Sequence, residues 1–134
     1  KEVDEPIDVV VYMIAIALGF AAVENTLFLL SPLAGSDFLD TLLTGNLRFI
    51  GATLLHVLTS AVVGVSIALG FYKKPRVRAV YALVGVILAA SLHGLFNFFI
   101  LNSSDQSLFR TFAFVWIGVV MVLVMLEYVK RMRH

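Results

Sequence analysis

The sequence has no cysteine, only three prolines among 134 residues, and few charged side chains, which make up 14% of the chain. Without cysteine the protein forms no disulfide and offers no thiolate, so a bound metal must be held by imidazole, carboxylate or amide groups. The formal net charge of +1 provides no bulk basicity. We therefore predict no nucleic-acid partner, and the few polar residues that remain need an explanation.

Hydrophobic residues are present in excess. They make up 60% of the chain, and the mean hydropathy of +0.98 lies far above that of an ordinary soluble domain. Four apolar runs are each long enough to cross a hydrocarbon core of about 30 Å. We therefore predict an all-α fold, a polytopic membrane helical bundle with four transmembrane helices, that forms a single membrane domain over residues 1–134 and has the lipid bilayer as a partner.

Polar residues set the bounds of these runs. The predicted transmembrane helices are 7–30, 47–72, 79–101 and 108–128. Residues 38–43 form a short amphipathic segment between a capping pair, Ser36-Asp37, and a stop signal, Gly45-Asn46. This pattern is typical of a helix end and of surface binding, and it predicts a short interfacial helix before the second transmembrane helix.

The charged residues cluster at the ends of the predicted helices. Residues 73–78 carry four positive charges and residues 130–133 carry three more. By the positive-inside rule both clusters are predicted to face the cytoplasm. We therefore predict an integral membrane protein with both termini of this chain cytoplasmic.

Four polar side chains interrupt the apolar helices. Glu24 lies in the first helix, His56 in the second, and His93 with Asn97 in the third. At 1.5 Å per residue, the first three lie at a common depth of roughly 9 to 14 Å below the outer surface. A charge at membrane depth costs roughly 2.5 to 3.5 kcal/mol on insertion scales, so it normally faces a protein interior and marks a site. We expect these side chains to form one polar centre.

The residue types suit more than one kind of site. Two imidazoles and a carboxylate can bind a divalent metal, and the same groups without a metal can act as a base with its orienting partners. Any one of them alone is commonly an interhelical hydrogen bond. Glu and His groups inside a membrane also form proton relays. The alternative to an enzyme is therefore a non-catalytic membrane protein, either a proton or ion pathway or an inactive protease-like scaffold.

The order of the polar motifs resembles that of a known family. The motifs are DEPID at 4–8, GFAAVEN at 19–25, HVLT at 56–59 and HGLFN at 93–97. They are similar to the successive motifs of PrsW-type intramembrane proteases, within the superfamily of CAAX-processing and bacteriocin-processing membrane proteases. The resemblance implies an enzyme of the prokaryotic cytoplasmic membrane that hydrolyses a peptide bond of a membrane-anchored protein or peptide substrate.

The resemblance also implies roles for the four polar residues. His56 and His93 are expected to bind a divalent metal, zinc in the first instance, with Glu24 as a third ligand or as the general base. Asn97 is expected to stabilise the oxyanion. The family pattern begins with two adjacent glutamates on an upstream helix, which this sequence does not contain. We therefore expect residues 1–134 to be a C-terminal fragment of a longer protease that binds metal but is inactive alone.

Overall fold

Four long helices account for nearly all of the chain that the computed structural model describes. The described backbone comprises residues 3–30, 38–101 and 105–132, and the described side chains are those of residues 3–27, 30, 49–99 and 113–132. The helices are α1 (Pro6–Leu30), α2 (Phe38–Leu69), α3 (Pro75–Leu101) and α4 (Asp105–Lys130). Each contains a stretch long and apolar enough to span a membrane. The predicted all-α membrane bundle is confirmed, and the protein is an integral membrane protein.

Proline begins two of the helices. Pro6 is the first residue of α1 and Pro75 the first of α3. Proline suits this position because its missing N–H would have no partner within the helix. The carbonyl of Lys74 accepts the backbone N–H of Arg78 at 3.0 Å, which closes the first turn of α3. The helix therefore begins before Ala79, where the sequence predicted it, and takes part of the basic segment into its first turn.

The second helix is longer than predicted. Residues 38–43 and the expected stop at Gly45-Asn46 lie within the single helix Phe38–Leu69. Glycine inside a helix costs about 1 kcal/mol relative to alanine, whereas unpaired backbone groups in an apolar environment cost several kcal/mol each. The structure therefore replaces the separate interfacial helix by the first turns of α2. The predicted cap at 36–37 lies outside the described residues.

The second helix lies at the centre of the bundle. It contacts α1, α3 and α4, and 44% of its membrane-spanning stretch is buried, compared with 11% for α4. In contrast, no Cα atoms of α1 and α3 come within 8 Å of each other in the described part of the chain. The first and third helices therefore flank α2, and we call the space between them, over α2, the cleft.

Small residues bring α1 and α2 into close contact. A Cβ atom added at Gly64 would lie 2.8 Å from the Cα atom of Val10, so the backbones approach closely at this point. Ala17, Ala21 and Asn25 on α1 are buried and lie on one helical face. Leu18, Val23 and Leu27, on the other faces of α1, are exposed.

Two clusters of buried apolar side chains fix the helices at two levels. Near the start of α1, the first cluster comprises Val10, Val65, Ala68 and Val129. At the level of the polar residues, the second comprises Leu55, Leu58, Phe96 and Val115. Because α2 contributes to both clusters, they set the heights of α1, α3 and α4 relative to it. These heights decide which polar groups can meet.

Candidate active site

A carboxylate and an imidazole from consecutive helices meet in the cleft. The Oε2 atom of Glu24 lies 2.6 Å from the Nε2 atom of His56. When Nε2 carries the proton, the imidazole donates this hydrogen bond to the carboxylate. The side chain of His56 is 14% exposed and that of Glu24 is 48% exposed. His56 therefore forms part of the floor of the cleft, and the carboxylate lies at its open side.

A second imidazole joins this pair from the third helix. The ring centroid of His93 lies 5.4 Å from that of His56, and the ring planes are inclined by 44°. Because α1 and α3 do not contact each other in the described residues, His56 on α2 connects Glu24 with His93. The three residues that the sequence places at one depth therefore lie together in the structure.

Asn97 lies at the edge of this cluster. It is one helical turn beyond His93 on α3, and it is exposed. In the described part of the chain, no hydrogen bond or ion pair joins Asn97 to Glu24, His56 or His93. Its amide can therefore interact with a group that enters the cleft.

Two supporting side chains were missed by sequence reasoning. Thr53 Oγ1 accepts a hydrogen bond of 3.1 Å from Asn25 Nδ2, and the ring of Phe20 packs edge-on against His56, with the centroids 5.1 Å apart. Thr53 precedes His56 by three residues, and Phe20 precedes Glu24 by four. Each spacing puts the residue on the same helical face as its site neighbour, which is the signal that could have found it.

Thr59 has a structural role. Its hydroxyl lies 2.9 Å from the backbone oxygen of Leu55 and 3.2 Å from that of His56, within the same helix. The hydroxyl is thereby engaged within α2 and adds nothing to the polar cluster.

The donor atoms of the cluster are of the right kind for zinc, but two of them face each other. Two ligands on one tetrahedral zinc ion lie about 3.3 Å apart, given bonds of about 2.0 to 2.1 Å. Glu24 Oε2 and His56 Nε2 are closer than this. Among the described residues, no three His, Asp or Glu side chains surround a common point suited to a metal. The carboxylate instead hydrogen-bonds the imidazole, as carboxylates commonly do behind metal-binding histidines.

One comparison with known proteins gives a match, and it covers almost the whole chain. A family model described as PrsW family intramembrane metalloprotease matches residues 1–126, a range that includes Glu24, His56, His93 and Asn97. No curated protein and no solved structure matches the chain. The family match confirms the resemblance seen in the order of the motifs. The chain belongs to the PrsW family of intramembrane metalloproteases.

Proposed function

We propose that this protein hydrolyses a peptide bond of a membrane-anchored protein or peptide substrate in the cleft between α1 and α3. The observation that carries the proposal is the 2.6 Å contact between Glu24 Oε2 and His56 Nε2, with the His93 ring beside it. Peptide hydrolysis needs a group that accepts a proton from water and groups that stabilise negative charge. This cluster supplies both within a membrane protease of known family.

Glu24 is proposed as the general base. Its side chain is about half exposed to the cleft, while Oε2 is held by His56. A carboxylate positioned in this way accepts a proton from water as the water oxygen attacks the peptide carbonyl. The same carboxyl group then donates the proton to the nitrogen of the leaving amine as the C–N bond breaks.

His56 and His93 are proposed to hold the divalent metal that the family description implies, with zinc as the first candidate. Neutral imidazole is a preferred zinc ligand. Glu24 then orients the His56 ring through their hydrogen bond, and it becomes a third ligand only after a side-chain rotation. Zinc supplies Lewis acidity, which polarises a carbonyl and acidifies water. In a mechanism without metal, Glu24 keeps the same role and His56 orients it.

Asn97 is proposed to bind the oxyanion. Its exposed side chain, one turn from His93, can donate an amide N–H to the oxygen of an attacked carbonyl. Loss of one such donor lowers kcat by about 10² to 10³ in a well-studied protease. This role requires that Asn97 contact the substrate, and it does not require a contact with the histidines.

The decisive test is Glu24→Gln, measured as cleavage of a membrane-anchored reporter by the full-length protein. The amide keeps the shape and can still hydrogen-bond His56, but it cannot act as a base. We expect normal insertion and purification and a loss of cleavage of about 10² to 10⁴, the usual contribution of a general base. The temperature of thermal unfolding in detergent should be unchanged or slightly raised, because a costly charge at membrane depth is removed.

A matched control is Glu127→Gln. Glu127 also lies in a transmembrane helix, but its carboxylate pairs with Arg131 at 2.9 Å near the end of α4, on the other side of the bundle. Its replacement should leave cleavage at the wild-type rate. A well-folded Glu24→Gln protein that also cleaves at the wild-type rate would remove Glu24 from the mechanism. If the wild type does not cleave, and proton flux into vesicles depends on Glu24, the site is a proton pathway.

A further inference from the structure

A second depression in the bundle is almost wholly apolar. It lies between α3 and α4, has α2 as its floor, and encloses about 610 Å³. One end is lined by Leu69, Tyr81 and Met125, and the other end by Leu58, Leu92 and Phe114. The twelve residues from Tyr81 to Leu92 extend about 16 Å along the helix. We call this depression the α3–α4 groove, and its length and polarity match those of a lipid acyl chain.

One end of the α3–α4 groove lies beside a cluster of cations. The second helix ends at Leu69, α3 begins at Pro75 and α4 ends at Lys130, so these three helix ends meet at one level. The exposed cations there are Lys73, Lys74, Arg76, Arg78, Lys130 and Arg131. Glu127, on α4, is already paired with Arg131. The other described acidic residues at this level, Asp4, Glu5 and Asp8, lie before α1 or in its first turn, and α1 does not line the groove.

Two of these cations lie at the start of α3, the end of the helix at which Tyr81 lines the groove. At 100° per residue, Arg78 falls about 60° from Tyr81 around the axis of α3, and Lys74 directly precedes the helix, where its carbonyl accepts the backbone N–H of Arg78. Arg78 also packs over the ring of Phe71, with Cζ 5.6 Å from the centroid, which holds the guanidinium near the helix ends. Arg76 falls about 140° from Tyr81 and so faces away. Lys74 and Arg78 are therefore the candidate headgroup ligands, and Arg76 is a control cation at the same helix end that faces away from the groove.

We propose that the α3–α4 groove binds one anionic phospholipid, with an acyl chain in the groove and its headgroup at Lys74 and Arg78. A transmembrane helix of a partner fits less well, because association of helices within a bilayer depends on polar contacts and close backbone approach. Among the described residues that line the groove, only Ser66 and Tyr81 carry a polar side-chain group. Charge complementarity selects the lipid, since each Lys or Arg near the surface strengthens binding of anionic lipid about fivefold.

The headgroup is tested by lipid titration of the full-length protein in a neutral detergent. Phosphatidylglycerol and phosphatidylcholine with identical acyl chains are added, and retained lipid is counted by native mass spectrometry. We expect one phosphatidylglycerol to be retained in preference to phosphatidylcholine. The double variant Lys74→Gln with Arg78→Gln should bind it about 25-fold more weakly, from two charges at about fivefold each. Arg76→Gln should bind it more strongly than this double variant.

The acyl chain is tested by filling the groove. Leu88 lines it, whereas Leu83, on the same helix and also exposed, does not. Leu88→Trp should lose most of the retained lipid, and Leu83→Trp should keep it. Helicity and thermal unfolding without added lipid should match the wild type in both variants. Inorganic phosphate should not displace the lipid, because a free anion lacks the acyl chain.

Three results would overturn the proposal. They are equal retention of the two lipids, unchanged retention in Leu88→Trp, and competition by inorganic phosphate alone, which would assign the cations to a free anion. A change of oligomeric mass in Leu88→Trp without loss of lipid would instead assign the groove to a second copy of the chain. None of these readouts depends on peptide cleavage, so the lipid site and the proposed function can fail separately.

Discussion

The two open regions of the bundle border the same central helix but differ in what holds their walls. The cleft between α1 and α3 contains Glu24, His56 and His93, and the Asn25–Thr53 hydrogen bond joins α1 to α2 beside it. The α3–α4 groove contains almost no polar group, and among the described residues no side-chain hydrogen bond joins its walls. The polar region is therefore held by directional contacts, and the apolar region by shape alone.

This difference follows from the lipid that surrounds the helices in place of water. Lipid tails are as apolar as leucine, so two apolar helix faces gain little by leaving lipid for each other, and a gap between them can persist. A carboxylate or amide in the same environment gains much by finding a partner. Polar contacts therefore add to the apolar packing that holds α1 against α2, whereas α3 and α4 leave a groove between them that lipid can fill.

The largest effect should come from removing both histidines of the polar cleft. We expect His56→Ala with His93→Ala to lose bound metal and to cleave at least about a hundredfold more slowly, since loss of an outer partner of a metal ligand alone costs 10- to 100-fold. Elemental analysis of protein purified without chelator measures the metal. His134→Ala, which changes the third histidine of the chain, is the control and should retain it. Equal metal content in the wild type and the double variant would favour the mechanism without metal.

A smaller effect is expected when a methyl group is added at a helix contact in each region, because the two contacts differ in how tightly they are packed. A Cβ at Gly64 meets the backbone of Val10 at 2.8 Å, whereas a Cβ at Gly118 meets the far end of the Leu58 side chain, also at 2.8 Å, beside the groove. Backbone cannot yield, so Gly64→Ala should cost about 1 to 3 kcal/mol of unfolding free energy. Gly118→Ala should cost less, because Leu58 can turn into the groove.

The control for this pair is Gly19→Ala. No atom lies within 4 Å of a Cβ added at Gly19, so the substitution should be neutral or should stabilise by up to about 1 kcal/mol through helix propensity. Denaturant unfolding in mixed micelles measures all three variants. Equal losses at Gly64 and Gly118 would mean that the walls of the groove are as rigid as the α1–α2 contact, contrary to the comparison.

The smallest effect concerns one hydrogen bond. Thr53→Val keeps the shape but removes the acceptor for Asn25, which is 8% exposed. We expect a loss of about 0.6 kcal/mol, and at most about 1.7, the range measured for interhelical hydrogen bonds in membranes. Thr26→Val is the control, because the Thr26 hydroxyl bonds the Ala22 carbonyl of its own helix at 2.8 Å. If both variants unfold alike, the Asn25–Thr53 bond does not help to hold α1 in place.

Much of the polar cleft could be predicted from the sequence, because helical rise and periodicity are nearly fixed. Counting residues from the helix ends placed Glu24, His56 and His93 at one depth, and the contacts of His56 show them at one level. The same periodicity puts Ala17, Ala21 and Asn25 on one face of α1, and the structure buries all three. These inferences need only the geometry of a single helix and the cost of charge in lipid.

The remaining features depend on the rotation and neighbours of each helix, which local patterns do not contain. The direct bond between Glu24 and His56, in place of a shared metal point, depends on how α1 is turned against α2. The continuation of α2 through Gly45 depends on the cost of unpaired backbone, which outweighs a local stop signal. The α3–α4 groove has no sequence signal, because a helix facing lipid and a helix facing another apolar helix share one composition.

The position of the Glu24–His56 bond on consecutive helices has a consequence for how the chain enters the membrane during synthesis. The two residues are 32 positions apart and lie on the first two helices. The bond can therefore form as soon as α1 and α2 leave the translocon as a hairpin, before α3 has been made. Each polar group then reaches the bilayer already partnered, which offsets part of the insertion cost of about 2.5 to 3.5 kcal/mol for a charge. His93 on α3 would be inserted after Glu24 and His56 and would then join the bonded pair.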